Sequence, residues 1–304
     1  MKISKFLLLG MSLTAVCLLP VATFAKGTKA KANPSSLEEV NNEVRARSAL
    51  LVDALTGQVL FERNSNLPLS PASTVKLMTS LLVYERMGMN GSAVILPEDV
   101  RVEASCVPLR IGEKVSVSDL MHAMLIGSDN DCAMALARIV AGSVENFVVM
   151  MDLRAKELGC LNTSFANPNG LPDSKPQHTT AHDMLLIFQK FLSIPELNQI
   201  AQMPTFTLRT RVGSQIVRNH NKLLGKYPGM GPAKTGWTRA SRHTYAAAVA
   251  RNGRELRLII LNSPNKWDDS KMLFDYGFAH LPELPAQKQI VKVDAKTDRQ
   301  HTTE

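Results

Sequence analysis

The feature that most restricts this chain is the placement of its strand-like runs, which lie near both ends with helix-like runs between them. RSALLVDALTGQVLFERN (47–64) sets two apolar runs around Thr56-Gly57, and TYAAAVARNGRELRLIILN (244–262) sets two more around Asn252-Gly253. Both dipeptides carry the turn chemistry that joins antiparallel strands. GPAKTGWT (231–238) reads as a further strand before the second hairpin. In the middle, PASTVKLMTSLLVYERMG (71–88), SVSDLMHAML (116–125), CAMALARIVAG (132–142), VENFVVMMDLRAKELG (144–159) and TTAHDMLLIFQKFL (179–192) repeat apolar residues at helical spacing. Thr180 and Asp183 have the spacing of a capping box, and WDDSKMLFDYGFAHL (267–281) closes with a helix. Strands, helices, strands, helix is the order of an α+β fold whose antiparallel sheet is assembled from both ends of the chain.

The termini differ in kind from this middle. Lys2 and Lys5 precede a long apolar run, and Ala25 offers a small residue at its end, so residues 1–25 read as a cleaved secretory signal. An uncleaved membrane anchor is the alternative, and membrane association is expected only in that case. Residues 26–44, beginning KGTKAKANPSS, read as a flexible leader, residues 45–283 as the catalytic domain, and residues 284–304 as a polar tail with one strand-like run, QIVKV. Loss of the signal takes the formal charge from +8 to +6, because only Lys2 and Lys5 leave with it. The basic residues are scattered without interleaved aromatics, which disfavours nucleic acid as a partner. A mildly positive surface suits an anionic envelope or a carboxylate substrate. Of the 4 cysteines, Cys106, Cys132 and Cys160 remain after cleavage. Their odd number excludes a fully paired framework and leaves a single disulfide open.

Three short motifs carry the chemistry. Ser73-x-x-Lys76 opens an apolar helix, where a lysine in the first turn opposes the macrodipole. Spacing i, i+3 puts the two side chains on one face. Packed among apolar residues, Lys76 loses hydration, its pKa falls, and a neutral amine can take the serine proton. A second S-x-x-K, Ser263-Pro-Asn-Lys266, is the decoy that chance supplies about once in a chain of this length, and Ser263 reads as a helix cap. Ser128-Asp129-Asn130 places a polar turn between two apolar helices, with Asp129 as a turn residue. Lys234-Thr235-Gly236 opens a strand, where Gly236 lets a substrate backbone approach the edge and Lys234 and Thr235 suit a carboxylate.

In this order, S-x-x-K, S-D-N and K-T-G are the motif set shared by penicillin-binding proteins and class A β-lactamases. With PASTVKLMT, GEKVSVSDLMHAMLIGSDND, ANPNGLP and NHNKLLGKYPGMGPAKTGWT around them, the chain from Ser48 to Gly277 resembles the low-molecular-mass penicillin-binding proteins, the serine D-alanyl-D-alanine carboxypeptidases. The resemblance implies a β-lactamase/transpeptidase-like fold, an antiparallel sheet covered by helices with a mainly helical subdomain. It implies Ser73 as nucleophile, Lys76 as general base and Ser128 as proton relay to the leaving group. Asn130 would donate to the substrate amide, and Lys234 and Thr235 would bind the terminal carboxylate. The backbone N–H groups of Ser73 and Trp237 would form the oxyanion hole. Peptidoglycan stem peptides are the implied substrates and β-lactam antibiotics the implied inhibitors, in the periplasm or cell-wall space.

Departures from the family pattern keep neighbouring readings open. After K-T-G the family often has an Ala-Gly pair, whereas here TRASRHTYA follows, with Arg239 and Arg242 read as solvated. A β-rich C-terminal domain would not fit in the residues after LPELP (281–285). A D,D-endopeptidase that cuts cross-links shares the same chemistry. A class A β-lactamase needs a glutamate to activate the deacylating water, and TSFANPNGLPD (163–173) has none. A catalytically idle binding protein would have no use for the complete set of Ser73, Lys76, Ser128 and Lys234. His178 and His182 lack the glutamate of H-E-x-x-H, so no metal or other cofactor is expected.

Overall fold

Strands β1 (Ser48–Asp53) and β9 (Arg254–Ser263) pair antiparallel at the centre of a 5-stranded sheet, which joins the two ends of the domain. The computed structural model describes residues 36–282. The expected signal, the first part of the leader, and the tail with QIVKV lie outside the described residues. With β2 (Val59–Arg63), β7 (Met230–Thr238) and β8 (Arg242–Arg251), the order is β2-β1-β9-β8-β7. The β8–β9 hairpin turns at Asn252 and Gly253, both at positive φ, as the Asn-Gly pair requires.

Both faces of this sheet are covered, and the strands therefore read as apolar runs rather than as alternating ones. Leu50, Val52, Ala246, Ala248, Ile259 and Leu261 belong to a core shared with the helices from the middle of the chain. The alternate residues Ala49, Leu51, Ala247, Val249, Leu258 and Ile260 form a second core with Leu273 and Phe274 of the closing helix. The first core holds α2 (Lys76–Met87), α3 (Val117–Ile126), α4 (Asn130–Ala141), α5 (Val144–Glu157), α6 (Ala181–Leu192) and α7 (Pro195–Ala201). The second holds α1 (Leu37–Glu43) and α8 (Lys266–Ala279). Two small hairpins complete the fold, β3 (Ser92–Val94) with β4 (Lys114–Ser116) and β5 (Thr205–Thr210) with β6 (Gly213–Arg218).

Three expectations change. The leader is not flexible as far as residue 44. Leu37–Glu43 form helix α1, capped by Ser36, and Val40 and the C-cap residue Val44 are buried in the second core. The capping box on α6 is one-sided. Thr180 accepts the Asp183 N–H, but the Asp183 carboxylate turns to Asn162 N and Thr163 Oγ1, each at 2.8 Å. The helix expected within residues 71–88, opened by Ser73, starts as a 3-10 turn, Ala72–Val75, and becomes α-helical only at Lys76. Ser73 thus sits in the turn that leads into α2. Among the described residues, no single helix is long and apolar enough to cross a membrane.

Candidate active site

The 3-10 turn reaches the catalytic-sized cleft because three pieces of chain grip it. Thr244 Oγ1 donates to the Pro71 carbonyl at 2.9 Å, fixing the turn to β8. Gly236 on the edge strand β7 carries no side chain where the turn approaches; a Cβ there would lie 2.3 Å from Thr244 Oγ1 and 2.8 Å from Ser73 N. Gly170, at φ +83, faces the other side of the turn, and a Cβ there would lie 2.0 Å from the Ala72 carbonyl oxygen. Gly236 was expected to make room for substrate backbone. Its bare Cα is required first to seat the turn that carries Ser73, although it also lines the cleft. Ala72, next to Ser73, and Ser128 both hold positive φ, at 47° and 63°, a conformation that non-glycine residues adopt at a cost.

Lys76 is fully buried on the first turn of α2 and makes three contacts through Nζ. They are Ser73 Oγ at 3.0 Å, Asn130 Oδ1 at 2.7 Å and the Asn169 carbonyl oxygen at 2.6 Å. Asn130 must present its oxygen here, because its amide nitrogen donates to the Glu103 and Ala104 carbonyls at 2.9 and 2.8 Å. Two of the three partners are therefore acceptors only. As an ammonium Lys76 also donates to Ser73 Oγ, whose own O–H donates to the Asn169 carbonyl at 3.4 Å; a neutral amine, with its two N–H bonds on the two acceptors, would turn its lone pair to the Ser73 hydroxyl. Burial, followed by the positive charge of Lys234, holds the Lys76 ammonium well below its usual 10.5, while Asp129 acts the other way.

Lys234 and Ser128 form a second pair. The Lys234 ammonium, itself buried, donates to Ser128 Oγ at 2.8 Å and to the Thr235 carbonyl at 3.1 Å. The Ser128 oxygen thus accepts from lysine, and its own O–H is left to donate into the cleft. Burial pushes Lys234 down to about 7, a fall that Asp129 opposes and Lys266 reinforces. Asp129 occupies the N-cap position of α4, a turn residue as expected, yet its side chain caps nothing. Its Oδ2 is buried without a hydrogen-bond partner, and burial together with Asp131 raises the carboxyl to about 7.

The serines of the two pairs line one cavity of about 420 Å³ with Thr235, Gly236 and Trp237, and hydrogen bonds join the buried Lys76 and Lys234 to them. Trp237 is 60% exposed at its rim, and Arg239 and Arg242 face solvent. All eight residues singled out from the motifs therefore meet at one place. One expected contact is occupied differently: the Asn130 amide donors lie on the 103–104 carbonyls, and its Oδ1 accepts from Lys76.

Sequence reasoning missed three contributors. The Asn169 carbonyl was hidden because a backbone acceptor has no residue signature. The 103–105 loop carries no motif. Lys266, set aside with the decoy Ser263, lines the cavity and is buried, with its Nζ 2.9 Å from His243 Nδ1 and 4.5 Å from the centre of the Trp267 ring. Ser263 does not cap α8 as expected: the N-cap is Asn265, without a side-chain cap bond, and Ser263 ends β9, where it accepts the Asn265 N–H and donates to Asp269 Oδ2 at 2.6 Å. Cys106, Cys132 and Cys160 are all free thiols.

Comparison with known proteins agrees with this geometry. The model of a family described as D-alanyl-D-alanine carboxypeptidase, peptidase S11, matches residues 32–265. The D-alanyl-D-alanine carboxypeptidase DacB2 of Mycobacterium tuberculosis is 33% identical over 245 residues, covering 78% of this chain and 84% of that protein. A crystal structure of a D-alanyl-D-alanine carboxypeptidase from Mycobacterium tuberculosis H37Rv superposes with a TM-score of 0.75 at 32% identity, covering 81% of this chain and 94% of that one. A D-alanyl-D-alanine endopeptidase of Pseudomonas aeruginosa is 28% identical over 260 residues, covering 84% of this chain and 83% of that protein.

Proposed function

The chain belongs to the D-alanyl-D-alanine carboxypeptidase family, and on that premise we propose that it removes the terminal D-alanine of peptidoglycan stem peptides through an acyl-enzyme on Ser73. It is a serine-type carboxypeptidase. Lys76 takes the Ser73 proton as Oγ attacks the carbonyl of the penultimate D-alanine. The backbone N–H groups of Ser73 and Trp237 hold the oxygen on which negative charge develops. Ser128 passes a proton to the departing amine, while Lys234 and Thr235 hold the terminal carboxylate. Water then hydrolyses the ester, again with Lys76 as base. A β-lactam follows the same first step and blocks the enzyme, because no glutamate stands in residues 163–173 to hasten its release. Export by the segment 1–25 to the periplasm or cell-wall space is part of this reading.

The observation that carries it is the convergence on the buried Lys76 Nζ of Ser73 Oγ at 3.0 Å and of two acceptor-only neighbours at 2.7 and 2.6 Å, which can hold a neutral amine toward Ser73. Digestion of purified peptidoglycan with chromatography of the fragments tests it. Loss of single D-alanines from pentapeptides is expected. Conversion of cross-linked dimers to monomers with pentapeptides untouched identifies a D,D-endopeptidase instead. Carboxypeptidase is the primary reading because bond choice is made by the walls of the site, and the sequence around them is the part that resembles that group.

A further inference from the structure

Basic residues that are scattered in the sequence come together on one small hairpin. Strands β5 and β6 form a 2-stranded sheet apart from the main one, and strand alternation divides their residues between two faces. Leu208 and Val217 point inward and join the first core, and Phe206 stacks on His122 of α3 with ring centres 4.6 Å apart. The pairs Thr205–Arg218, Thr207–Ile216 and Arg209–Ser214 stand opposite one another on the other face. All six of these residues are exposed.

A buried carboxylate holds the tip of the hairpin. Glu113 accepts the backbone N–H of Arg211 at the tip and, at 3.2 Å, that of Arg110 in the neighbouring loop. It thus ties two loops together and sets Arg110, Ile111 and Lys114 beside Arg211 and Val212, all of them exposed. Glu113 is the only acid in residues 108–114 and 205–218, which hold five cations: Arg110, Lys114, Arg209, Arg211 and Arg218. None of the five reaches a carboxylate within ion-pair distance among the described residues. Such a cluster repels itself and attracts anions. Aliphatic side chains lie among the cations, with Ile111 60%, Val212 46% and Ile216 58% exposed. A soluble polyanion would use only the charges. A bilayer boundary uses both, taking cations at its headgroups and aliphatics at the edge of its acyl region.

We propose that the β5–β6 hairpin and residues 110–114 form a peripheral docking surface for an anionic lipid bilayer. The five cations meet lipid phosphates, and Ile111, Val212 and Ile216 enter the headgroup boundary. The contact needs neither residues 1–25 nor the chemistry at Ser73. At its base the hairpin reaches the Ser128-Asp129-Asn130 turn, since Val217 and Arg218 line a cavity of about 250 Å³ with Asp129 and His220. His220 also lines the Ser73 cavity. Docking through the hairpin therefore keeps the cleft close to the lipid surface.

Cosedimentation with vesicles tests the proposal, using the chain from residue 26 onward. The vesicles are phosphatidylcholine alone, or phosphatidylcholine mixed equally with phosphatidylglycerol. The protein should pellet with the mixed vesicles only, and high salt should release it. Each basic residue near an anionic surface is worth roughly a fivefold gain in binding, so Arg209→Gln, Arg211→Gln and Arg218→Gln together should weaken it about a hundredfold. Val212→Asp, which removes no cation, should weaken it as well. Penicillin should label the triple variant in solution as it labels the parent, which shows that the fold survives. No pelleting with the mixed vesicles overturns the proposal, as does equal pelleting with phosphatidylcholine alone or an unchanged affinity in the triple variant. Capture of the parent by soluble polyphosphate, with Val212→Asp binding vesicles as tightly as the parent, identifies an anionic polymer and overturns the lipid assignment. Because Ser73 labelling is read separately, each of these failures leaves the acyl-serine reading intact.

Discussion

Lys76 Nζ lies 3.0 Å from Ser73 Oγ, and the two other partners of that amine, Asn130 Oδ1 and the Asn169 carbonyl, can only accept. Lys76→Ala should therefore lower the rate of acylation by a fluorescent penicillin by roughly 10²–10⁴, the usual worth of a positioned general base. Leaving the two acceptors unsatisfied should cost about 1–3 kcal/mol of stability without unfolding the domain. Single-turnover labelling and a thermal melt on the same sample separate the two effects. Near-normal acylation would remove Lys76 as the base.

The charges around Lys76 set where its reactivity begins on the pH scale. Lys234 lowers the Lys76 pKa and Asp129 raises it. Lys234→Met should move the acid limb of the acylation profile to higher pH, and Asp129→Asn should move it to lower pH. Shifts of the same sign in both variants, or none in either, would contradict the electrostatic account. The amplitude of the Lys234→Met profile should also fall through weaker substrate capture, so the position of the limb is the quantity to read.

Stability should depend on pH through Lys234 itself. Its pKa is about 7 folded against 10.5 for the free side chain. Between those values the unfolded chain binds more protons than the native one, so unfolding free energy rises with pH across that window. Lys234→Met should flatten this rise relative to the unsubstituted protein in melts taken from pH 7 to 10. An unchanged slope would mean that Lys234 stays charged in the fold.

Gly236→Ala tests the seating of the turn that carries Ser73. The added methyl would meet Thr244 Oγ1 and Ser73 N inside van der Waals contact, and overpacking of this kind typically costs about 1–3 kcal/mol. Acylation should slow in parallel, since the turn carrying Ser73 must shift. A variant with wild-type labelling kinetics would show that the turn has slack that the geometry does not reveal.

Cys106 is exposed whereas Cys132 and Cys160 are buried. In protein lacking residues 1–25, a thiol-specific reagent should modify one cysteine under native conditions and three after denaturation, without reductant. Only one reactive thiol after denaturation would point to a disulfide between two of them.

How much of this was legible in the sequence follows the physics of each signal. The Asn252-Gly253 hairpin and the apolar runs of β1, β8 and β9 were plain, because a sheet buried on both faces leaves little but aliphatic residues. Helix α1 was not, since it has two apolar residues in a short polar run, and of these Val40 is buried while Leu37 stays exposed. The β3–β4 pair has 3 residues per strand, too few for a period of two to register. In the site, residues named by motif could be found one by one. The orientation of Asn130, the Asn169 carbonyl and the basic wall at Lys266 depend on segments far apart in the chain, 93 residues in the case of Lys76 and Asn169. Local spacing carries no trace of such contacts.

The central claim is that Ser73, activated by Lys76, forms the acyl-enzyme. Mass spectrometry of the intact protein after incubation with penicillin, followed by peptide mapping, measures this directly. A single penicilloyl group on the peptide containing Ser73, persisting long after free penicillin is removed, is the predicted result. An adduct on Ser263, no adduct at all, or rapid turnover of penicillin with unmodified protein would contradict it.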